Sequence, residues 1–135
     1  MNHDSAHVPR IPMQLTGGCL VASIQIDLND SVLFRFKRDL LEKIQQTQTR
    51  VVLLDVSGVD VIDCVEFESI REIMRMSRLM GARSMLVGVK PEIACSLMDY
   101  DLDFSGLETA LTLDQAFDLL QPQMGSQGRC DGAIG

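Results

Sequence analysis

The pattern of apolar and polar positions between residues 51 and 89 predicts a strand, a helix and a second strand. Val51–Leu54 is a continuous apolar run that ends at Asp55, and Met85–Val89 is a second such run. Between them, apolar residues recur at helical spacing from about Asp63 until Gly81. Short apolar runs are typical of buried strands. This segment therefore predicts a parallel β-α-β crossover.

The flanking segments add a hairpin, further helices and one more strand. Ile11–Leu15 and Cys19–Ile26 are predicted strands joined by a turn at Gly17-Gly18. The remaining predicted elements are a helix from about Asp30 to Thr47, a helix from Glu92 to about Asp99, a strand at Leu107–Thr112 and a helix from Asp114 to Leu120. We expect an α/β fold in which helices pack mainly on one face of a small mixed sheet.

The two ends of the chain differ in composition from the rest. Residues 1–8 are mostly polar, and residues 121–135 are rich in Gly, Gln and Ser. Such segments bury too little apolar surface to offset the entropy of ordering. We therefore expect a flexible leader (1–8), one domain (9–120) and a disordered tail (121–135).

Charge and cysteine content exclude several classes of function. The net charge is −7, and the chain lacks the clustered Lys and Arg that neutralise nucleic-acid phosphates. No apolar run is long enough for a membrane span and no signal peptide is recognisable, so we expect a cytoplasmic protein without nucleic-acid or membrane partners. The four cysteines form no C-x-x-C pair, which favours neither a metal site nor a disulfide. Cys19 and Cys95 lie in apolar stretches and are predicted to be buried.

No catalytic motif is recognisable. Both histidines, His3 and His7, lie in the leader, and no phosphate-binding glycine loop is present, so we expect neither an enzyme nor a cofactor. Asp55, Asp60 and Asp63 cluster at one predicted strand end and could bind Mg²⁺ or a nucleotide. The favoured alternative is that these carboxylates cap the following helix and complement its dipole.

Several motifs together resemble a known family. They are DVSGVDVID (Asp55–Asp63), MSRLMGA (Met76–Ala82), VGVKPE (Val87–Glu92), IPM (Ile11–Met13) and LTLDQA (Leu111–Ala116). In order and spacing they resemble a STAS domain of the anti-sigma factor antagonist type, nearest to stressosome proteins of the RsbS type. The resemblance covers about residues 9–120.

This resemblance implies a non-enzymatic scaffold that assembles with RsbR-type paralogues and sequesters an RsbT-type serine/threonine kinase. It also implies a homodimer and a larger hetero-assembly. An antagonist of the SpoIIAA type, which binds an anti-sigma factor, is the alternative. The implied partner surface is the loop and first helical turn from Gly58 to Glu68, with Gly58, Val59, Asp60, Asp63, Cys64, Val65, Phe67 and Glu68 as its candidate residues.

Cys64 departs from the pattern of this family. The resemblance places the phosphoacceptor, a Ser or Thr, directly after Asp63, where this chain has a thiol. Cys64 could leave the protein in its unphosphorylated, kinase-binding form. Alternatively, phosphorylation could move to Ser57 or Ser69, or occur on the partner paralogue only. A third hypothesis is oxidation, since a helix N-terminus favours a thiolate. The neighbouring carboxylates disfavour it. Phe67 also departs, because the family tends to have a small residue there.

Overall fold

The computed structural model describes residues 8–120. In this range five strands form one sheet in the order β1-β2-β3-β4-β5. The elements are β1 (Met13–Thr16), β2 (Cys19–Ser23), α1 (Asp30–Thr47), β3 (Val51–Asp55), α2 (Cys64–Leu79), β4 (Arg83–Val87), α3 (Pro91–Met98), β5 (Thr109–Ala110) and α4 (residues 113–120). β1 runs antiparallel to β2, and all other neighbours are parallel. The predicted α/β fold and its β-α-β crossover are confirmed.

Two glycines make the hairpin between β1 and β2. Thr16 pairs with Cys19, so Gly17 and Gly18 form the whole loop. Their φ angles are +59° and +82°. Two-residue hairpin loops with positive φ at both positions follow the right-handed twist of the strands, and glycine adopts them without steric cost. The predicted turn is confirmed.

The sheet separates two apolar clusters. Val52 and Leu54 face the larger cluster with α1, α2 and α3, whereas Leu53 faces a smaller cluster with Ala116 and Leu120 of α4. Successive residues of a strand point to opposite faces, so an uninterrupted apolar run fits a sheet covered on both sides. Three of the four described helices lie on one face, as predicted.

Helix α2 ends at Gly81 for a specific reason. Gly81 has φ of +90°. Its N–H donates to the carbonyl of Arg78 (2.9 Å), and the N–H of Ala82 donates to that of Ser77 (3.0 Å). This is the Schellman arrangement, which satisfies carbonyls at the helix end and favours glycine.

Some predicted details are wrong. Cys95 is exposed, because α3 buries only Ile93 and Leu97, which lie four residues apart on the opposite side. Val8, the last residue of the predicted leader, packs against the larger cluster. The rest of that leader and the predicted tail lie outside the described residues. Of the described helices, none is long and apolar enough to cross a membrane.

Candidate functional site

The loop that follows β3 turns sharply at the carboxyl edge of the sheet. The Ser57 N–H donates to the Asp55 carboxylate (3.0 Å). The Val59 N–H then donates to the carbonyl of Val56 (3.0 Å). Gly58 lies so close to Gln25 that an added Cβ would be 2.9 Å from the Cγ of that side chain. These contacts fix how the chain leaves the sheet and enters α2.

A capping box defines the start of α2. The Glu66 N–H donates to the Asp63 carboxylate (2.7 Å), and the Asp63 N–H donates to the Glu66 carboxylate (3.1 Å). Such reciprocal bonds satisfy donors that a helix start leaves free. Cys64 is the first residue of the helix and is partly exposed. Its thiol therefore lies at a well-defined, accessible position.

Two exposed valines lie near Cys64 in the sequence. Val61 is 73% exposed and Val65 is 63% exposed. Beside them, the Lys90 ammonium pairs with the Asp60 carboxylate at 2.5 Å. The hydrogen bond and the positive charge of Lys90 hold the pKa of Asp60 below its ordinary value. Exposed apolar side chains bordered by charged groups are typical of protein-binding surfaces.

The structure divides the predicted partner-surface residues into two groups. Gly58, Asp60, Asp63 and Glu68 are exposed, as is Val65, and Cys64 is partly exposed. Val59 and Phe67 are buried and belong to the larger apolar cluster. They support the loop from beneath and offer no contact surface.

The burial of Phe67 involves an aromatic contact, and Val61 is an exposed residue that the sequence did not single out. The Phe67 ring packs against Phe104 with centroids 5.3 Å apart. Val61 was not among the individual residues chosen for the surface. The mixture of apolar and acidic residues at 59–63 does not distinguish the exposed Val61 from the buried Val59 and Ile62.

The serines considered as alternative phosphoacceptors differ in accessibility. Ser57 is exposed, and Ser69 is partly buried on α2. A third serine nearby, Ser77 of α2, is fully buried and donates its hydroxyl to the carbonyl of Ile73 (2.9 Å). Accessibility therefore favours Ser57 over Ser69.

The three carboxylates considered for metal binding have separate structural roles. Asp55 accepts from Ser57, Asp60 pairs with Lys90, and Asp63 caps α2. Within residues 8–120, no group of three or more His, Cys, Asp and Glu side chains is placed to hold a metal ion. The helix-capping interpretation is confirmed for Asp63 and wrong for Asp55 and Asp60, because Asp55 accepts from Ser57 in the loop and Asp60 pairs with Lys90.

A shallow cavity of 350 Å³ lies beside the thiol. Cys64, Glu68, Glu72, Arg75 and Leu102 are among its lining residues. The exposed side of the first two helical turns is therefore mainly acidic. Charge of one sign steers partners of the opposite sign, so this surface suits a partner with basic side chains.

Comparison with known families decides the assignment. The profile of the STAS domain family matches residues 10–116. The chain belongs to the STAS domain family. Its similarity extends to the RsbT co-antagonist protein RsbRA of Bacillus subtilis, at 33% identity over 81 residues. That match covers 60% of this chain but 30% of RsbRA. The co-antagonist RsbRB is 36% identical over 70 residues, which is 52% of this STAS chain and 25% of RsbRB.

Solved structures give the same grouping. A serine-to-glutamate variant of RsbS from Moorella thermoacetica has a TM-score of 0.72 at 30% identity, covering 84% of this STAS chain and 97% of RsbS. A chain from a structure of the stressosome, described as a signal integration and transduction hub, has a TM-score of 0.67 at 26% identity, covering 84% and 98%. Phosphorylated SpoIIAA from Bacillus, at 16% identity and TM-score 0.60 over 82% and 98%, shares the fold.

Proposed function

We propose that this STAS protein is a non-enzymatic, cytoplasmic antagonist of the stressosome type. It sequesters an RsbT-type serine/threonine kinase through the exposed residues of the loop and helix start at 58–68. Cys64 occupies the position at which the family is phosphorylated. The observation that carries this proposal is the placement of Cys64 on the first residue of α2, directly after the capping Asp63 and between two exposed valines.

The names of the relatives support the choice of partners. RsbRA and RsbRB are co-antagonists of RsbT, and each is longer than the segment that matches this chain. The RsbS match spans nearly the whole of that protein. These similarities fit the role of an antagonist that assembles with RsbR-type paralogues. In this role it forms a homodimer and a larger hetero-assembly.

The chemistry of Cys64 bears on whether phosphorylation can release the kinase. A helix N-terminus stabilises a phosphate through its free N–H groups and its dipole, so a phosphoserine here would be well accommodated. A thiol is not an acceptor for a serine/threonine kinase. We propose that Cys64 holds the protein in its kinase-binding form.

The first test is intact-protein mass spectrometry after incubation with an RsbT-type kinase and ATP. The original protein should gain no phosphate, whereas Cys64→Ser should gain one. Cys64→Asp places a negative charge at the same position and should weaken kinase binding, measured by calorimetry. Equal kinase affinity of Cys64→Asp and the original protein would argue against this surface.

Phosphorylation elsewhere is a distinguishable outcome. If the original protein also gains phosphate, peptide mapping locates the acceptor, and Ser57 is favoured because it is exposed. Ser57→Ala should then abolish the gain, with Ser69→Ala as the matched control. Phosphate on neither the original protein nor Cys64→Ser would contradict the kinase assignment.

Oxidation is tested separately. If a sulfenic acid at Cys64 replaces phosphate as the releasing signal, peroxide should weaken kinase binding of the original protein but not of Cys64→Ala. Binding that does not change with peroxide excludes this release route and leaves the capture surface intact.

Two competing functions have their own readouts. A pull-down that recovers an anti-sigma factor in place of a kinase would favour an antagonist of the SpoIIAA type. Calorimetry with Mg²⁺ and nucleotides tests a metal- or nucleotide-binding protein that uses Asp55, Asp60 and Asp63. We expect no heat that depends on these carboxylates, because each has a separate structural role.

A further inference from the structure

A buried arginine on α2 lacks part of its hydrogen bonding. Arg71 is 7% exposed, and its Nη2 donates to the carbonyl of Ser105 (3.1 Å). Its Nη1 is buried without a hydrogen-bond partner. A buried cationic group without its full set of partners is costly, because the interior does not replace the water that it has lost.

Arg71 lines a cavity beside α2. This cavity measures 540 Å³ and lies between α2, β4 and the segment that leads into β5. Arg75 and Arg78 share its wall, since residues four and seven positions apart lie on the same side of a helix. Three arginines therefore line one cavity.

The neighbouring carboxylates leave part of this positive charge uncompensated. Glu108, also in the wall, accepts from Arg83 at 2.7 Å and lies 3.8 Å from Arg78. Asp103 is held mainly by the hydroxyl and N–H of Ser105, and the charges of Arg71 and Arg75 reach it as a smaller effect. The net charge of −7 opposes anion binding in this cavity only weakly, because salt screens charges that lie more than roughly 8 Å away.

The remaining wall is apolar. Met74, Leu79 and Leu107 line the cavity together with the arginines. Guanidinium groups bind phosphate oxygens through pairs of parallel hydrogen bonds, and apolar side chains favour the organic part of a ligand. We propose that this cavity binds the phosphate monoester of a small organic molecule, with Arg71 and Arg75 holding the phosphate.

This proposal does not depend on the proposed capture of a kinase. The capture surface comprises exposed residues of 58–68, whereas Arg71 lines this cavity and not the one beside Cys64. Arg75 lines both cavities, so Arg71→Met is the variant that separates the two functions. Loss of one function by mutation therefore leaves the other to be measured.

The test is an NMR titration of the full ¹⁵N-labelled chain with phenyl phosphate, inorganic phosphate and benzoate. Phenyl phosphate should shift the Arg71 side-chain N–H and the Ser105 and Gly106 amides in a saturable manner. Inorganic phosphate should bind the same site more weakly, because it lacks the apolar part. Tighter binding of benzoate, or equal binding of inorganic phosphate, would overturn the assigned ligand class.

Variants at the cavity and away from it complete the experiment. Arg71→Met should weaken phenyl phosphate binding at least about tenfold, since paired charge-assisted hydrogen bonds are lost. Arg75→Met should weaken it too, and its exposed position makes it a safe second variant if Arg71→Met folds poorly. Arg38→Met removes the same charge from the exposed side of α1 and should bind as the original does. Equal binding by all variants, or no binding at about 10 mM, would refute the site.

Discussion

The backbone of Gly88 lies directly against Ser57. A Cβ added at Gly88 would be 2.8 Å from the Cβ of Ser57 and 3.2 Å from its Cα and N. Gly88 also has φ of +80° and directly follows β4. The loop that follows β3 can therefore pack closely against the chain that follows β4, because Gly88 has no side chain to displace Ser57.

This contact predicts a stability difference between two glycine variants. Gly88→Ala should lower the free energy of unfolding by roughly 2–4 kcal/mol, because left-handed strain and overpacking add. Gly18→Ala is the matched control, with φ of +82° but nothing within 4 Å of the added Cβ. It should cost about 1–2 kcal/mol from strain alone. Urea unfolding measures both, and equal losses would show that the Ser57 contact is unimportant.

The cap of α2 should contribute to stability through hydrogen bonding. Asp63→Ala removes the acceptor for the Glu66 N–H and should cost about 1 kcal/mol. Asp63→Asn keeps an acceptor at the same place and should lose only a few tenths of that amount. The two variants are compared by urea unfolding. If Asp63→Asn were as destabilised as Asp63→Ala, charge rather than capping would be the dominant contribution.

Two carboxylates should titrate at low pH for different reasons. Lys90 lowers the pKa of Asp60, whereas Ser105 is the main cause of the lowered pKa of Asp103. Lys90→Met should therefore raise the pKa of Asp60 toward its ordinary value and leave Asp103 unchanged. Ser105→Ala should do the reverse. Carboxyl-carbon NMR titration measures both groups, and parallel shifts in either variant would contradict these assignments.

The sign of the pH dependence follows from these lowered pKa values. A carboxylate whose pKa is lower in the folded state stabilises the fold above its unfolded-state pKa. That contribution is lost as the pH falls through the folded-state pKa. For Asp60 the loss should occur below pH 3.8, its ordinary value, and should disappear in Lys90→Met.

Exposed and buried valines of the loop should respond oppositely to mutation. Val61 is 73% exposed, so Val61→Ser should change the free energy of unfolding by less than about 0.5 kcal/mol while weakening kinase binding. Val59 is 3% exposed, so Val59→Ala should cost roughly 1–3 kcal/mol. Calorimetry and urea unfolding separate the two effects. Unchanged kinase affinity in Val61→Ser would remove Val61 from the surface.

The three described thiols should differ in their rate of alkylation. Cys95 is exposed, Cys64 is partly exposed and Cys19 is buried, and burial raises the pKa of Cys19. Because the thiolate is the reactive form, we expect Cys95 to react first and Cys19 last. Peptide mapping after brief maleimide treatment gives the order, with urea-unfolded protein as the control. Rapid labelling of native Cys19 would contradict its burial.

Much of the fold could be predicted because local patterns determine it. The apolar runs at 51–54 and 85–89 indicated buried strands, Gly17-Gly18 indicated the hairpin turn, and Gly81 indicated the end of α2. Each of these signals acts through a few neighbouring residues: alternation along a strand, positive φ at a glycine, or hydrogen bonds that end a helix. The capping role of Asp63 was predictable on the same basis.

Only the tertiary structure decided which side chains of these elements are exposed. Arg71 carries a charged side chain, yet it is buried and donates to the carbonyl of Ser105, which lies in a segment distant in sequence. Val59 and Val61 have the same side chain but opposite exposure, since the sharp turn of the loop directs one inward. Burial depends on segments distant in sequence, such as Phe104 on Phe67. The chain thus determined its elements locally, while its surface and its cavity depended on long-range packing.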